Sequence, residues 1–187
     1  LEHYLWQQEE AKRRDHRVLG ARLKLFTFAE EVGTGLPLWL PNGTILREEI
    51  EKYAKKIETK WGYERVTTPH IAKDTLYKIS GHIPYYAESM YPPMKLDDGN
   101  YYLKAMNCPH TLMIFKSVPK SYRDLPVRYA ENGTVYRYEL SGTLAGLLRT
   151  RGFTQNDAHI YCREDQVEEE FLKVMQLHEY WYKNVFG

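Results

Sequence analysis

Hydrophobic and polar positions alternate most clearly between Pro126 and Tyr161. If the run VRYAENGTVYRYE is a strand, Val135, Arg137 and Glu139 share a face, because successive side chains point to opposite sides. In the run GFTQNDAHIY, Phe153, Gln155, Asp157, His159 and Tyr161 share a face by the same rule. Between them lies a loop with Gly142, Gly146 and the basic pair Arg149 and Arg151. Paired as an antiparallel hairpin, the two runs gather Arg, Glu, Gln, Asp and His on one sheet surface. A strand packed on a core places apolar residues there, so a face this polar is either open to solvent or a site.

Elsewhere the pattern is mostly helical. Residues 1–15 read as a polar helix of the kind that links domains, with Leu1, Tyr4, Leu5 and Trp6 as its few apolar positions. Asp15 is a candidate cap for a continuation carrying Val18, Leu19 and Leu23. GTGLPLWLPNGT predicts a short strand entering a turn at Asn42-Gly43. Thr44 is then expected to cap a helix through about Trp61, with Leu46, Ile50, Tyr53, Ile57 and Trp61 as its apolar stripe. Glu48 with Lys52 and Glu51 with Lys55 would pair on its wet side. GYERVTTPHI predicts a strand ending at Pro69.

Asp74 is a candidate cap for a short helix that ends at Gly81, and His82 follows in a loop, where a lone histidine is ordinarily solvated. DDGNYYLKAM predicts a turn at Gly99 into a strand, and HTLMIFKSV is helical or extended. After His159, REDQVEEEFLKVMQLHEYWYKNVFG predicts a helix with Val167, Phe171, Val174, Met175 and Trp181 on its inner face, Met175 as core.

Composition narrows the function classes. A chain of 187 residues is long enough for one domain with a core, and 43% hydrophobic with 27% charged residues is ordinary for a globular protein. A net charge of +1 gives no overall basic field, which leaves nucleic-acid contacts to a local patch or another domain. The 16 tyrosines read as sheet and interface residues rather than base-stacking platforms. Two cysteines, Cys108 and Cys162, make no disulfide framework and point to an intracellular compartment. No apolar run approaches the ~20 residues of a membrane span, the N-terminus does not read as a signal peptide, and no GxxxxGK[ST] loop is present.

YRYE, a loop, and RTRGFTQNDAH together resemble motif 2 of class II aminoacyl-tRNA synthetases. With KAMNCP, SYRDLPVRYAE, YRYELSG and RGFTQNDAHI in the same order, the chain resembles the catalytic domain of the threonyl-tRNA synthetase family from about DHRVLG to its end. Helix, strand and Pro69 resemble motif 1, which builds the dimer interface in that class. The resemblance implies an α+β fold: part of a mainly antiparallel class II sheet flanked by helices. It divides the chain into a linker helix, 1–15, and an N-terminal part of the catalytic domain, 16–187.

It also implies a chemistry: ATP-dependent activation of threonine and transfer to tRNA(Thr), in the cytoplasm or an organelle, by a homodimer. Forming an adenylate needs positive charge where the transition state gathers negative charge, and arginine forks onto phosphate oxygens. The resemblance assigns Arg137 to the α-phosphate, Arg149 and Gln155 to the nucleotide, Glu139 to its adenine end, and His82 to the catalytic constellation. Mg²⁺ would accompany ATP. Asp157, Gln155 and Met106 would contact threonine, and Cys108 and His159 match two of the family's three zinc ligands. Zinc that binds the amine and hydroxyl together would separate threonine from valine, which shape alone does weakly. By spacing alone, Cys108 and His159 are equally readable as buried structural residues.

Three departures accompany the resemblance. His110 follows MNCP directly, where the family has an intervening residue, which leaves its role open. The family's third metal histidine and motif 3 arginine lie beyond the position of Gly187, and its editing and anticodon-binding regions have no counterpart here. The chain is therefore expected to be a piece of a longer synthetase and inactive alone. Two other readings are a synthetase-like protein that binds a nucleotide or partner without turnover, and another class II synthetase, for serine or proline.

Overall fold

The computed structural model describes residues 1–187. Helices α1 (Glu2–Arg13) and α2 (His16–Arg22) lead into a two-stranded antiparallel pair, β1 (Phe26–Thr27) with β2 (Leu38–Trp39). The long helix α3 (Pro41–Lys60) follows, then β3 (Glu64–Arg65), β4 (Ile71–Lys73), α4 (Asp74–Ile79) and the single turn α5 (His82–Tyr85). After β5 (Met94–Leu96), β6 (Gly99–Leu103) and α6 (Cys108–Ser117) come the two long strands, β7 (Val127–Tyr136) and β8 (Gly152–Tyr161), and the helix α7 (Val167–Tyr180). The architecture is α+β, as expected.

β7 and β8 pair antiparallel over ten residues each, from Val127 opposite Tyr161 to Tyr136 opposite Gly152. β7 stops at Tyr136, so Arg137 and Glu139 stand just past the strand instead of on it. The ladder carries one step further, since the Arg137 N–H donates to the Arg151 carbonyl at 2.9 Å. β3 adds parallel to the other edge of β7, giving the order β3-β7-β8. The strand expected through GYERVTTPHI is held to two residues. Val66 still donates to Ala130 at 3.0 Å, but Thr68 then turns its hydroxyl to Glu131, and Pro69 has no N–H to offer. A second sheet, β4-β6-β5, packs Ala72 and Tyr102 on Tyr77, Met90 and Ala105.

Asp15 caps α2, its carboxylate accepting from Arg17 N–H. α3 begins at Pro41, three residues before the expected cap at Thr44. Proline suits the first helical turn because its missing N–H would have been unpaired there. Asn42-Gly43 is thus helical, not a turn. Gly43 is needed for closeness: a Cβ would stand 1.9 Å from the Leu25 carbonyl oxygen. The stripe of α3 is corrected too. Ala54, Ile57 and Glu58 are buried, while Leu46 and Ile50 are exposed in this chain. Its ion pairs are Arg47 with Glu51 and Lys52 with Glu49, and Arg47 also lies over the Trp39 ring at 4.9 Å.

α7 is docked by charge. The Arg128 guanidinium forks onto the buried Glu170 carboxylate, and Trp181 meets Tyr53 edge-on at 5.8 Å. The expected inner face holds only in part: Trp181 and Val174 are half-buried, but Val167, Phe171 and Met175 are exposed, so Met175 is not a core residue of this chain.

Candidate active site

The β7–β8 register sets one face of the sheet. Tyr129 lies opposite His159, Glu131 opposite Asp157, Gly133 opposite Gln155 and Val135 opposite Phe153. Alternation sends all of these to one side. At the loop end, the Arg137 guanidinium lies 5.1 Å over the Phe153 ring, and its Nε is 3.5 Å from the Ala105 carbonyl. The loop then returns Arg149 to Glu139, Nε to Oε2 at 2.9 Å. Arg151 does not face outward with it. It donates to the Glu139 carbonyl at 2.9 Å and to the Thr34 and Ser141 hydroxyls, tying the loop to the Gly33–Gly35 turn.

A cleft of about 920 Å³ wraps this loop end. Arg137, Glu139, Arg149 and Phe153 line it, with Arg47, His70 and Trp39 across from them. Three arginines against one carboxylate make a cleft suited to a polyanion. Gln155, Asp157 and His159 continue along the same face.

At the far end of the face, Cys108 opens α6. Burial pushes its thiol pKa up, and the charges of Asp157 and Glu131 add to this. His159 Nδ1 is buried with no hydrogen-bond partner. A half-buried thiol and an unpartnered imidazole nitrogen are both metal donors, so this pair fits a zinc ion chemically. No group of three His, Cys, Asp or Glu side chains gathers in the chain.

His82 is buried, which corrects the reading of a solvated loop histidine. Its Nδ1 lies 2.9 Å from the Ser80 hydroxyl and its Nε2 3.0 Å from the Met106 sulfur. A thioether only accepts, so Nε2 carries the proton. His82 thus holds Met106 from behind. His110 lies away from the face, edge-on to Tyr77 at 6.1 Å, with both ring nitrogens buried and unpartnered. Burial pushes its pKa down to about 4, with Lys104 adding to the shift, so it is neutral.

Sequence reasoning missed a buried polar group under the face. Lys104, 1% exposed, donates to Thr68 Oγ1 at 2.8 Å, and Thr68 donates to Glu131 Oε2 at 2.8 Å. Desolvation pushes the Lys104 pKa down while Glu131 and Asp157 oppose it. Asn107 Nδ2 donates to Asp157 Oδ2 at 2.9 Å. One signal was available: Glu131 shares the alternation of Val127, Tyr129 and Val135, so it is a charge on a core-facing register.

The chain matches the family model described as tRNA synthetase class II core domain (G, H, P, S and T) over residues 86–187. It is 60% identical over 177 residues to the threonine–tRNA ligase of Deinococcus radiodurans, 95% of this chain and 27% of that protein. It is 53% identical over 190 residues to that of Chloroherpeton thalassium, 99% of this chain and 29% of that protein. The chain thus spans under a third of the length of these relatives. Among solved structures, it superposes with a TM-score of 0.86 and 39% identity on the RNA binding domain of threonyl-tRNA synthetase from Cryptosporidium parvum, over 90% of this chain and 42% of that one. Giardia lamblia prolyl-tRNA synthetase, in complex with prolyl-adenylate, shares the fold at a TM-score of 0.80 and 16% identity, over 94% of this chain and 36% of that one.

Proposed function

We propose, from the premise that this chain belongs to the class II tRNA synthetase core-domain family, that it forms part of the catalytic domain of a threonine–tRNA ligase. One observation carries the reading. Arg137, Glu139 and Arg149 line a single cleft, and the face of Gln155, Asp157 and His159 runs out of it. Names of relatives at 53% and 60% identity support threonine as the amino acid.

In the reaction, a threonine carboxylate oxygen bonds to the α-phosphorus of ATP and the bond to pyrophosphate breaks. Negative charge collects on the α-phosphate oxygens, and Arg137 is the residue assigned to it. Its guanidinium is braced from below by Phe153, so it is oriented before substrate arrives. Arg149 and Gln155 take the nucleotide, and Glu139 accepts from the adenine amine. Mg²⁺ would enter with ATP on the phosphate oxygens. The adenylate then passes its threonyl group to tRNA(Thr).

Asp157 accepts from an N–H of the threonine amino group, and Met106, backed by His82, packs beside the substrate. Cys108 and His159 would hold zinc, with remaining ligands from the rest of the protein. Bound there, zinc would take the substrate amine and hydroxyl together and so refuse valine. α3 and the edge strand β3 are assigned to a homodimer interface, supported by Leu46 and Ile50 standing exposed on α3. No helix is long and apolar enough to cross a membrane; by resemblance to the synthetase family, we place the enzyme in the cytoplasm or an organelle.

The experiment is amino-acid-dependent exchange of pyrophosphate into ATP by the full-length protein. Threonine is expected to support exchange, and valine and proline are not. Exchange driven equally by proline, or by no amino acid at all, would overturn the reading.

A further inference from the structure

We infer that Asn107 is a positioning residue for Asp157 and that position 133 is glycine to admit it; this rests on the reading that Asp157 binds the threonine amino group. Asn107 precedes Cys108 and lies almost wholly buried beneath the site face. Its Nδ2 donates to Asp157 Oδ2 at 2.9 Å. Against a carboxylate, an amide has to present its NH₂ end, since two facing oxygens repel. The bond occupies Oδ2 and leaves Oδ1 of Asp157 to face a ligand N–H.

The other end of the amide shows what this arrangement gives up. Asn107 Oδ1 is buried with no hydrogen-bond partner. A buried unmatched acceptor is unfavourable, and an apolar side chain would fill the space without that cost. The donor end is therefore what the position is kept for. Gly133 makes the approach possible. It sits on β7 opposite Gln155, two pairs along from Glu131 and Asp157 and so on the same face. A Cβ there would stand 2.2 Å from Asn107 Oδ1 and 2.6 Å from Cγ and Nδ2. Gly133 does not have a left-handed backbone, so room, not conformation, requires the glycine.

The buried charges complete the device. Glu131 lies directly opposite Asp157, and like charges across a pair repel. Lys104 Nζ stands 3.7 Å from Glu131 Oε2, and Thr68 bridges the two. Glu131 thus has Lys104 as its counter-charge on that same face, with its Oε1 left unpartnered, and Asp157, hydrogen-bonded to Asn107, is the carboxylate left for a ligand. Asn107 sets the direction of that carboxylate.

The test measures KM and kcat of pyrophosphate exchange in the full-length protein for Asn107→Ala, Gly133→Ala, the double variant and Asp157→Asn. Asn107→Ala is expected to raise the threonine KM about tenfold or more, the usual scale for losing a hydrogen bond to a charged group, with the ATP KM within about twofold. Gly133→Ala should do the same by pushing Asn107 aside. The double variant should raise the threonine KM no further than Asn107→Ala, while its Tm recovers towards wild type because the added methyl fills the space left by the amide. If either single variant does not fold, the other and the double carry the comparison. Asp157→Asn raising the threonine KM while Asn107→Ala leaves it unchanged would overturn the inference and spare the reading. Asp157→Asn without effect on the threonine KM would overturn both. Parallel rises in the ATP and threonine KM for Asn107→Ala would show a merely structural residue and also overturn it.

Discussion

Arg149 donates from Nε to Oε2 of Glu139 at 2.9 Å, ten positions back across the loop, and so holds the side chain assigned to the adenine end of the nucleotide. The Glu139 carbonyl is held separately by Arg151, also at 2.9 Å. The basic pair that looked equivalent in sequence is divided: Arg149, over half exposed, borders the cleft, while Arg151 braces the loop through Thr34 and Ser141.

Arg149→Ala is therefore expected to raise the KM for ATP about tenfold, as for one charge-assisted hydrogen bond, and to leave the threonine KM within about twofold. Arg151→Ala should also weaken ATP binding, through Glu139, but with a lower Tm because it unties the loop. Steady-state exchange kinetics with a melting curve for each variant separates the two. Equal Tm losses in both would contradict the division of roles.

Cys108→Ala and His159→Ala should each abolish stoichiometric zinc and the refusal of valine together in the full-length protein. Losing one protein ligand leaves too few to hold the ion, and shape alone then separates threonine from its isostere. Serine keeps the hydroxyl and lacks one methyl, a difference worth only ~1–3 kcal/mol, so its activation should change little. Metal analysis beside valine and serine exchange checks this. Zinc retained in Cys108→Ala, with valine still refused, would return Cys108 to a structural role.

Tyr77 gives a pH prediction. Its hydroxyl is buried with no partner, and burial pushes its pKa up to about 12. In the unfolded chain the phenol ionises near ~10. Between those values the unfolded state loses the proton and the folded state keeps it, so stability falls as pH rises, by on the order of 2–3 kcal/mol in all. Tyr77→Phe removes this loss and an unmatched hydroxyl together. Its Tm is expected to equal or exceed wild type at pH 7 and to drop less between pH ~9.5 and ~11.5. A variant with the wild-type alkaline slope would contradict it.

The hairpin was legible because period-two alternation is a local signal, and both strands carry it over ten residues. The start of α3 was not. Pro41-Asn42-Gly43 has turn chemistry, and the approach of Leu25 that requires a glycine at 43 appears only in the folded chain. The inner face of α7 was partly misread because periodicity finds Phe171 and Met175, whereas the Arg128–Glu170 pair decides which side docks. The shared face of Gln155, Asp157 and His159 was legible through strand alternation, whereas Arg137 and Glu139, expected on the paired strand, stand just past it. The chemistry of Lys104, Thr68 and Asn107 was not legible, because it exists only once segments separated by up to 63 positions meet; Glu131 showed only as a charge out of place in the strand alternation.

The central claim is that the hairpin face activates threonine with Arg137 on charge that develops during the reaction. The direct measurement is Arg137→Ala in the full-length protein, with the single-turnover rate of threonyl-adenylate formation and the equilibrium Kd for threonine both determined. The predicted result is a rate lower by ~10²-fold or more, with the Kd within about twofold of wild type. A rate near wild type, or a Kd that rises in step with the loss of rate, would contradict the claim.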